Sequence, residues 1–286
     1  MLYVIHQAGK VASQTLEVTI AITDRSAHVS RHHYLEPSNL AEVERLCAEA
    51  PPGPQVDSLR MQAGRGVAAL LTLAQTDPRD VFVLSGFRDP LDFAISAFFQ
   101  NLEYFCADYS SPGPGEAYDS ARFDGEVVRV MELFKNEFSA FLERTRAGLA
   151  PRNIHELEVR RKFQNLGEWF DREFKPIFGV DLFALDIGSH PFIRFNSNRG
   201  QFLIYRMESF RENLPAIVSQ LPLPEPIKIA NQNLSEDKAY ATLYKRFREC
   251  FTATPEMMEY YYGGRFFHHF YSGSQPRYRV SSGALT

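Results

Sequence analysis

Cysteine is scarce in this sequence: the 286 residues include three, at positions 47, 106 and 250. Cysteines this far apart form neither the close pairs of a metal site nor the dense pattern of a disulfide framework. We therefore expect no disulfide scaffold and no bound metal, and a cytoplasmic location is the natural one for such a chain.

Long apolar runs are also missing. No stretch approaches the ~18 consecutive apolar residues that suggest a membrane-spanning helix. A strand-like pattern starts at Leu2, so we expect no signal peptide. We expect no membrane span.

The sequence has no excess of positive charge. Lys and Arg total 31 against 35 Asp and Glu, a formal net charge of −4. This balance argues against a general nucleic-acid binder, because binding a polyanion needs clustered basic charge. A local basic cleft would be hidden in the sum.

The residues that are present favour one large domain. Hydrophobic residues make up 44% and aromatic residues 13% of the chain, which is ample for a core. We expect a single α/β domain over residues 1–272, with a helical insertion at 103–175 and a loose tail at 273–286. The oligomeric state is left open.

The start of the chain has the pattern of a phosphate-binding loop. Residues 2–5 (LYVI) predict a buried strand, a turn follows with Gly9 and Lys10, and Ser13 opens a helix. The N-terminus of a helix directs backbone N–H groups and a positive dipole at an anion, and Lys10 adds a cation. From this stretch alone, an ordinary strand–turn–helix with a lysine exposed to solvent is as good an interpretation as a phosphate-binding loop.

The nucleoside-triphosphatase form of this loop is a poor match. That pattern requires Gly five residues before the Gly-Lys pair and Ser or Thr directly after the lysine. Val4 and Val11 occupy those two positions. The hydroxyl that would hold magnesium is therefore missing.

A second stretch follows a predicted central strand. Residues 81–87 (VFVLSGF) form a nearly continuous apolar run, typical of a parallel strand that is covered on both faces. Arg88 follows the strand, Pro90 suits the first turn of a helix, and Ser96 lies about two turns further on. Ligands of open parallel sheets bind at the carboxyl ends of strands. Lys10 and Arg88 therefore predict a ligand with two separate phosphates.

The remaining patterns complete an α/β prediction. We expect a second strand over 27–35, a loop over 103–121, helices over 122–147 and 155–173, and a hairpin that pairs 180–184 with 192–195. The predicted fold class is a three-layer, P-loop-like α/β fold. Its central, mostly parallel sheet is flanked by helices and carries helical additions.

At these residues the sequence resembles the sulfotransferases that use 3′-phosphoadenosine 5′-phosphosulfate (PAPS). Their first loop contains a lysine and binds the 5′-phosphosulfate. Their second motif is an arginine at a strand end with a serine eight residues on, and it binds the 3′-phosphate. The positions that match, and that the resemblance assigns to PAPS, are Gly9, Lys10, Val11, Ala12, Ser13, Gln14, Thr15, Arg88 and Ser96.

Over residues 2–272 the sequence also resembles a bacterial group labelled "putative capsular polysaccharide synthesis protein", itself assigned to the sulfotransferase superfamily. The residues that carry this resemblance are Val11, Ala12 and Ser13, the run 96–102, Asn233, Lys238, Tyr240 and the run 269–272. Two positions depart from the sulfotransferase pattern. Ala12 replaces the usual glycine, which matters if the turn needs a positive φ, and Gln14 replaces a Ser or Thr.

The resemblance implies in-line transfer of a sulfuryl group from PAPS to a hydroxyl, with adenosine 3′,5′-bisphosphate released and no metal required. Lys10 and nearby backbone N–H groups would stabilise the leaving phosphate. His33, or alternatively His32, would be the general base, since both follow the second strand. Arg60 and Arg65 are candidates for binding an anionic sugar acceptor.

Two other functions are compatible with the sequence. One is a degenerate member of the fold that binds a nucleotide or glycan without catalysis. The other is a P-loop kinase, which the missing hydroxyl after Lys10 disfavours. The sequence does not identify the acceptor, because fold does not fix substrate.

Overall fold

The computed structural model describes residues 1–9, 11–106, 120–230 and 240–280. These residues form a five-stranded sheet with the order β2-β1-β3-β5-β4. Its strands are β1 (Leu2–His6), β2 (His28–His32), β3 (Val81–Phe87), β4 (Phe192–Ser197) and β5 (Gly200–Arg206). The first three and β5 run parallel, and β4 pairs antiparallel with β5. The structure is therefore mixed α/β with a mostly parallel sheet, as predicted.

Helices surround this sheet. They are α1 (Ser13–Thr23), α2 (Pro37–Glu49), α3 (Pro54–Gln75), α4 (Pro90–Gln100), α5 (Leu102–Phe105), α6 (Ser120–Arg146), α7 (Ile154–Phe163), α8 (Leu166–Trp169), α9 (Lys175–Phe178), α10 (Phe210–Val218), α11 (Ala241–Cys250), α12 (Pro255–Tyr262) and α13 (Arg265–Phe270). A π-helical turn, Phe170–Phe174, joins α8 to α9. Across the described ranges, every helix is too short or too polar to cross a lipid bilayer.

The central strands bury both faces. In β1, Leu2 and Val4 belong to one apolar cluster, while Tyr3 and Ile5 belong to another. Side chains of α1 and α10 complete the cluster around Tyr3. The larger cluster draws on α4, α6, α7 and the C-terminal helices. Because helices cover both faces, the carboxyl ends of the parallel strands are where a ligand can enter.

Several predicted boundaries agree with the structure. The strand at 81–87 and the helix starts at Ser13 and Pro90 lie where the sequence places them. The second strand is shorter than predicted, since it covers His28–His32 only. Most of the predicted loop at 103–121 lies outside the described residues, and Leu102–Phe105 is helical.

The predicted hairpin is wrong. Leu182–Ala184 is a short 3₁₀ turn, and β4 pairs instead with β5 across the turn at residues 198–199. Gly200 makes this arrangement possible, because its φ is 143° and a Cβ there would lie 2.9 Å from the carbonyl oxygen of Val81.

The helix predicted over 155–173 is interrupted. It divides into α7, α8 and the π-helical turn. The break is at Asn165, whose side chain accepts a hydrogen bond from the Gly167 backbone N–H and so starts a new helix.

A contact between three strands fixes the turn after β1. Tyr205 of β5 donates a hydrogen bond from its hydroxyl to the carbonyl oxygen of Val11, at 2.5 Å. Gly86 of β3 lies beneath this pair: a Cβ on Gly86 would come within 2.6 Å of the Tyr205 ring and 2.9 Å of Val11 Cβ. The absence of a side chain at Gly86 therefore allows Tyr205 to reach the turn.

We expect Gly86→Ala to destabilise the protein by about 1–3 kcal/mol, the usual effect of overpacking a core. Gly64→Ala is the matched control. Gly64 is exposed in α3, a Cβ there meets nothing within 4 Å, and helix propensity favours Ala by roughly 1 kcal/mol. Urea unfolding of both variants measures the difference, and an unchanged stability for Gly86→Ala would contradict the packing described.

Candidate active site

A cavity of about 810 Å³ lies at the carboxyl ends of the parallel strands. Each of these strands contributes residues that directly follow it. They are Gln7–Gly9 and Val11–Thr15 after β1, His33 and Tyr34 after β2, Arg88 after β3, and Met207 after β5. Helices α3, α4, α7, α10 and α11 supply most of the remaining walls. This is the position at which open α/β sheets bind ligands.

The turn after β1 has the backbone shape of an anion-binding loop. Gly9 has a φ of 116°, and Ala12, the N-cap of α1, is left-handed with a φ of 58°. A left-handed residue followed by helical ones directs successive N–H groups into a common concavity. Ser13 and Thr15 are buried in the first turn of α1 and line the cavity. Lys10 itself lies outside the described residues.

Arg88 and Ser96 line the same cavity as this turn. Asp89 caps α4 by accepting the backbone N–H groups of Leu91 and Asp92, which directs the chain from β3 into the helix. The guanidinium of Arg88 lies 3.5 Å from the carboxylate of Asp92, which is one helical turn further along the chain. Arg88 and Ser96 therefore occupy the strand exit and the following helix of one wall, next to the β1 turn.

Asp92 gathers three arginines. Besides Arg88 it contacts Arg248 of α11 at 3.0 Å and Arg277 at 2.7 Å, and it accepts a hydrogen bond from the Tyr278 hydroxyl. Although burial opposes it, Arg88 and Arg248 lower the pKa of Asp92. The carboxylate is therefore ionised at neutral pH and holds the guanidiniums of Arg88 and Arg248 at the cavity wall.

His33 is the one histidine among the described residues of the cavity lining. Its Nδ1 lies 2.9 Å from the carbonyl oxygen of Gln7, an acceptor only, so Nδ1 carries the proton. Within the described part of the chain, no hydrogen-bond partner is found for Nε2. Burial and the charge of Arg161, with Lys162 and Arg31 adding to it, lower the pKa of His33 to about 4. At pH 7 the ring is neutral, with an unprotonated Nε2 able to accept a proton.

Buried groups beneath His33 fix its backbone. Trp169 donates from its indole N–H to the carbonyl oxygen of His33 at 3.2 Å. Glu173, in the π-helical turn, accepts the backbone N–H groups of Leu35 and Glu36 at 2.8 and 3.0 Å. Burial raises the pKa of Glu173 to about 7. These bonds hold the chain after β2 and so limit where the imidazole can lie.

A buried ion cluster on α7 lies in the cavity wall beside α3. Glu158 is fully buried, and its two oxygens lie 2.6 Å from Arg161 Nη1 and 3.1 Å from Lys162 Nζ. Although burial opposes it, Arg161 and Lys162 lower the pKa of Glu158 to about 2. Arg161 also donates to Gln62 at 2.9 Å and stacks over the Tyr34 ring. All three members of the cluster line the cavity.

Most of the site residues named from the sequence meet in this cavity. Its lining includes Gly9, Val11, Ala12, Ser13, Gln14, Thr15, His33, Arg88 and Ser96. The residues on both sides of Lys10 and the strand exit at Arg88 therefore face one cavity, as the two-phosphate hypothesis requires. That these residues bind a nucleotide is still a prediction.

Three predicted residues lie elsewhere. His32 is buried outside the cavity lining, where burial and the Arg65 charge lower its pKa to about 4. Arg60 donates to the Cys47 carbonyl oxygen at 2.7 Å and so ties α3 to α2. Neither Arg60 nor Arg65 lines the cavity. Arg60 projects from another face of α3 than Ser58 and Gln62, whereas Arg65 lies on their face but about one turn beyond Gln62.

The basic residues of the cavity are mostly ones that the sequence analysis did not select. Among the residues that the structure describes, the charged ones of the lining are the basic Arg31, Arg88, Arg161, Lys162, Arg211 and Arg248 and the acidic Glu158. The spacing of Glu158, Arg161 and Lys162 places them on one helix face, but the same spacing is typical of solvated salt bridges. Only their burial reveals a site.

Comparison with known families gives one match. Residues 150–272 match the model of the NKWYS family, described as "putative capsular polysaccharide synthesis protein". No curated protein and no solved structure matches the chain. The matched segment includes α7 and Arg248, whereas the β1 turn, His33 and Arg88 precede it.

Ala12 has a backbone conformation that costs an L-residue about 1–2 kcal/mol. We therefore expect Ala12→Gly to stabilise the protein by roughly 1 kcal/mol. Ala68→Gly, at an exposed position inside α3, should have the opposite effect by about the same amount. Urea denaturation gives both values, and a destabilised Ala12→Gly would contradict the left-handed φ at this turn.

Proposed function

We propose that the protein is a sulfotransferase that moves a sulfuryl group from PAPS to a hydroxyl of a carbohydrate or related metabolite. The main support is that the turn around Lys10 and the pair Arg88 and Ser96 line one cavity, at the ends of the adjacent strands β1 and β3. Two anion-binding elements on neighbouring strands suit a nucleotide with phosphates at both the 5′ and 3′ positions.

In this proposal the backbone N–H groups at the start of α1, with Lys10, hold the 5′-phosphosulfate. Arg88 and Ser96 hold the 3′-phosphate. Arg248 adds a second guanidinium there, because it shares Asp92 with Arg88 and lines the same cavity. Arginines held by a buried carboxylate are already oriented, so less side-chain entropy is lost when a phosphate binds.

The transfer needs position and charge stabilisation more than covalent help. His33 Nε2 accepts the proton of the acceptor hydroxyl as its oxygen bonds to sulfur. The bond between sulfur and the 5′-phosphate oxygen breaks, and its electron pair stays on that oxygen. Lys10 and the N–H groups of Val11 and Ala12 stabilise the negative charge that develops there.

The sequence around the turn disfavours a magnesium-dependent kinase. Val11 stands where a P-loop needs the hydroxyl that binds the metal, so ATP–magnesium lacks its usual ligand here. The family description of residues 150–272 concerns polysaccharide synthesis, and this supports a glycan as the acceptor.

Nucleotide selectivity tests the donor assignment. We expect adenosine 3′,5′-bisphosphate to bind and ATP–magnesium to bind much more weakly, measured by calorimetry. Arg88→Gln should weaken bisphosphate binding about 10- to 100-fold, because a hydrogen bond to a charged group contributes about 1.5–3 kcal/mol. Asp92 keeps Arg248 and Arg277 as partners in that variant.

Arg199→Gln is the control, since Arg199 is exposed in the β4–β5 turn, at the end of the strands opposite to Arg88. Equal binding of ATP–magnesium, or full bisphosphate affinity in Arg88→Gln, would rule out the proposed donor site.

Transfer of labelled sulfate from PAPS to capsular oligosaccharides tests the base. We expect His33→Gln to lower turnover about 10²- to 10⁴-fold at pH 7, because a general base is lost. His28→Gln, exposed at the opposite end of β2, should leave turnover unchanged. In the wild type, kcat/KM should fall only as the pH approaches about 4, where His33 becomes protonated.

Unchanged turnover in His33→Gln would place the base elsewhere. Bisphosphate binding without any sulfate transfer would favour a non-catalytic binding protein of the same fold.

A further inference from the structure

The α7 cluster leaves positive charge facing the cavity. Glu158 carries one negative charge, and Arg161 and Lys162 carry two positive ones. The side chains of Arg161 and Lys162 are only 10% and 14% exposed, so water compensates this charge poorly. A buried cluster with an uncompensated cation favours binding an anion from the cavity.

Lys162 is the cation of this cluster that can donate further hydrogen bonds. The guanidinium of Arg161 already contacts Glu158, donates to Gln62 and stacks on Tyr34. For Lys162 Nζ, the described residues provide Glu158 as partner, and an ammonium has three N–H groups. Two N–H groups of Lys162 therefore remain for a ligand in the cavity it lines.

The position of this cation separates it from the proposed donor site. Strand β2 is at one edge of the sheet, β1 is next to it, and β3 follows. The donor would span the β1 turn and Arg88 of β3, and the residues there would hold both of its phosphates. Arg161 stacks on Tyr34 after β2 and bonds to Gln62 of α3. Arg161 and Lys162 thus lie on the His33 side, where the acceptor must enter.

The same wall carries polar groups suited to a sugar. Gln55, Ser58 and Gln62 are spaced along α3 by three and four residues, and all three line the cavity. Residues at this spacing share one helix face. Their amides and hydroxyl can bind sugar hydroxyl groups beside the charged subsite.

We propose that the acceptor is an acidic glycan, and that Lys162, supported by Arg161 and Glu158, binds the carboxylate of a uronic-acid unit next to the hydroxyl facing His33. The role of the glycan as acceptor rests on the proposed function. The binding of an acidic sugar at this subsite does not depend on the reaction and can be measured without it.

A carboxylate at this position would also assist His33. The charged groups around the imidazole are Arg161 and Lys162 of α7 and Arg31 of β2, with neutral His6 of β1 nearby. All three charged groups are cations that disfavour protonation of the ring. A bound carboxylate offsets this repulsion, so an acidic acceptor makes His33 a stronger base than a neutral acceptor does.

Calorimetry without nucleotide tests the subsite directly. The probes are hyaluronan and heparosan oligosaccharides, which contain glucuronic acid, each compared with its carboxyl-reduced, uncharged counterpart. We expect at least one acidic oligosaccharide to bind the wild type about 10-fold or more tightly than its reduced form, as one charge-assisted contact provides. Equal affinities in both pairs, or no binding by either acidic probe, would overturn the proposal without any variant.

Lys162→Gln shows whether this residue carries the preference. The ratio of acidic to reduced affinity should fall to below about 3-fold, whereas Lys175→Gln, a surface lysine paired with Asp181, should keep the wild-type ratio. A ratio retained in Lys162→Gln would also overturn the assignment.

Bisphosphate titration of the same samples separates the two proposals. If the acidic preference holds and bisphosphate does not bind, the donor assignment fails and the glycan site remains. If bisphosphate binds and the preference is missing, the acidic-glycan inference alone fails.

Discussion

The hydrogen bond from Tyr205 to Val11 is the contact on which the arrangement of the site depends. It joins a residue near the end of β5 to the loop after β1, and the Tyr205 ring passes over Gly86 of β3. Through this contact the loop is set relative to β3, the strand that precedes Arg88. The two elements proposed to bind anions are more than 70 residues apart in the chain and thereby keep a fixed separation, as the proposed ligand with two phosphates requires.

Local patterns were sufficient for the elements that carry this contact. The apolar runs of β1 and β3 are short, dense and bounded by turns, and Pro90 marks the start of α4. Arg88 and the β1 turn could thus be assigned to neighbouring strand ends before any coordinates. The β4–β5 hairpin was missed because β4 is half-exposed and its pairing depends on a close approach of Gly200 to Val81.

The acceptor side could not be predicted in the same way. Arg60 and Arg65 lie near the start of a helix, as expected of residues that bind an acceptor, yet Arg60 turns toward α2 and Arg65 lies beyond the part of α3 that meets the cavity at Gln62. Arg161 lines the cavity because α7 lies near the segment that follows β2, where Arg161 stacks on Tyr34, a residue about 130 positions earlier in the chain. Such long-range packing leaves no trace in the local sequence.

Charge is distributed unevenly over the molecule. The chain is formally negative, while the described part of the cavity lining holds six basic residues and one acid. Many surface ions pair locally, as Arg45 does with Glu49. The cavity cations instead face a shared volume, where a low-dielectric wall strengthens their field on an entering anion. An anionic ligand is therefore attracted to a protein whose net charge would repel it.

The pairing of β5 between β3 and β4 also has a consequence for the matched segment. Of the five described strands, residues 150–272 contain only β4 and β5, because β1, β2 and β3 come earlier in the chain. In this segment alone, β5 would therefore be an open edge. Expressed as an isolated fragment, this portion would leave the backbone of β5 unpaired on one side and Phe202 and Ile204 without their neighbours from β3. An unprotected apolar strand of this kind invites aggregation. A recombinant protein meant for crystallisation or biochemistry should therefore retain everything from Leu2 onward.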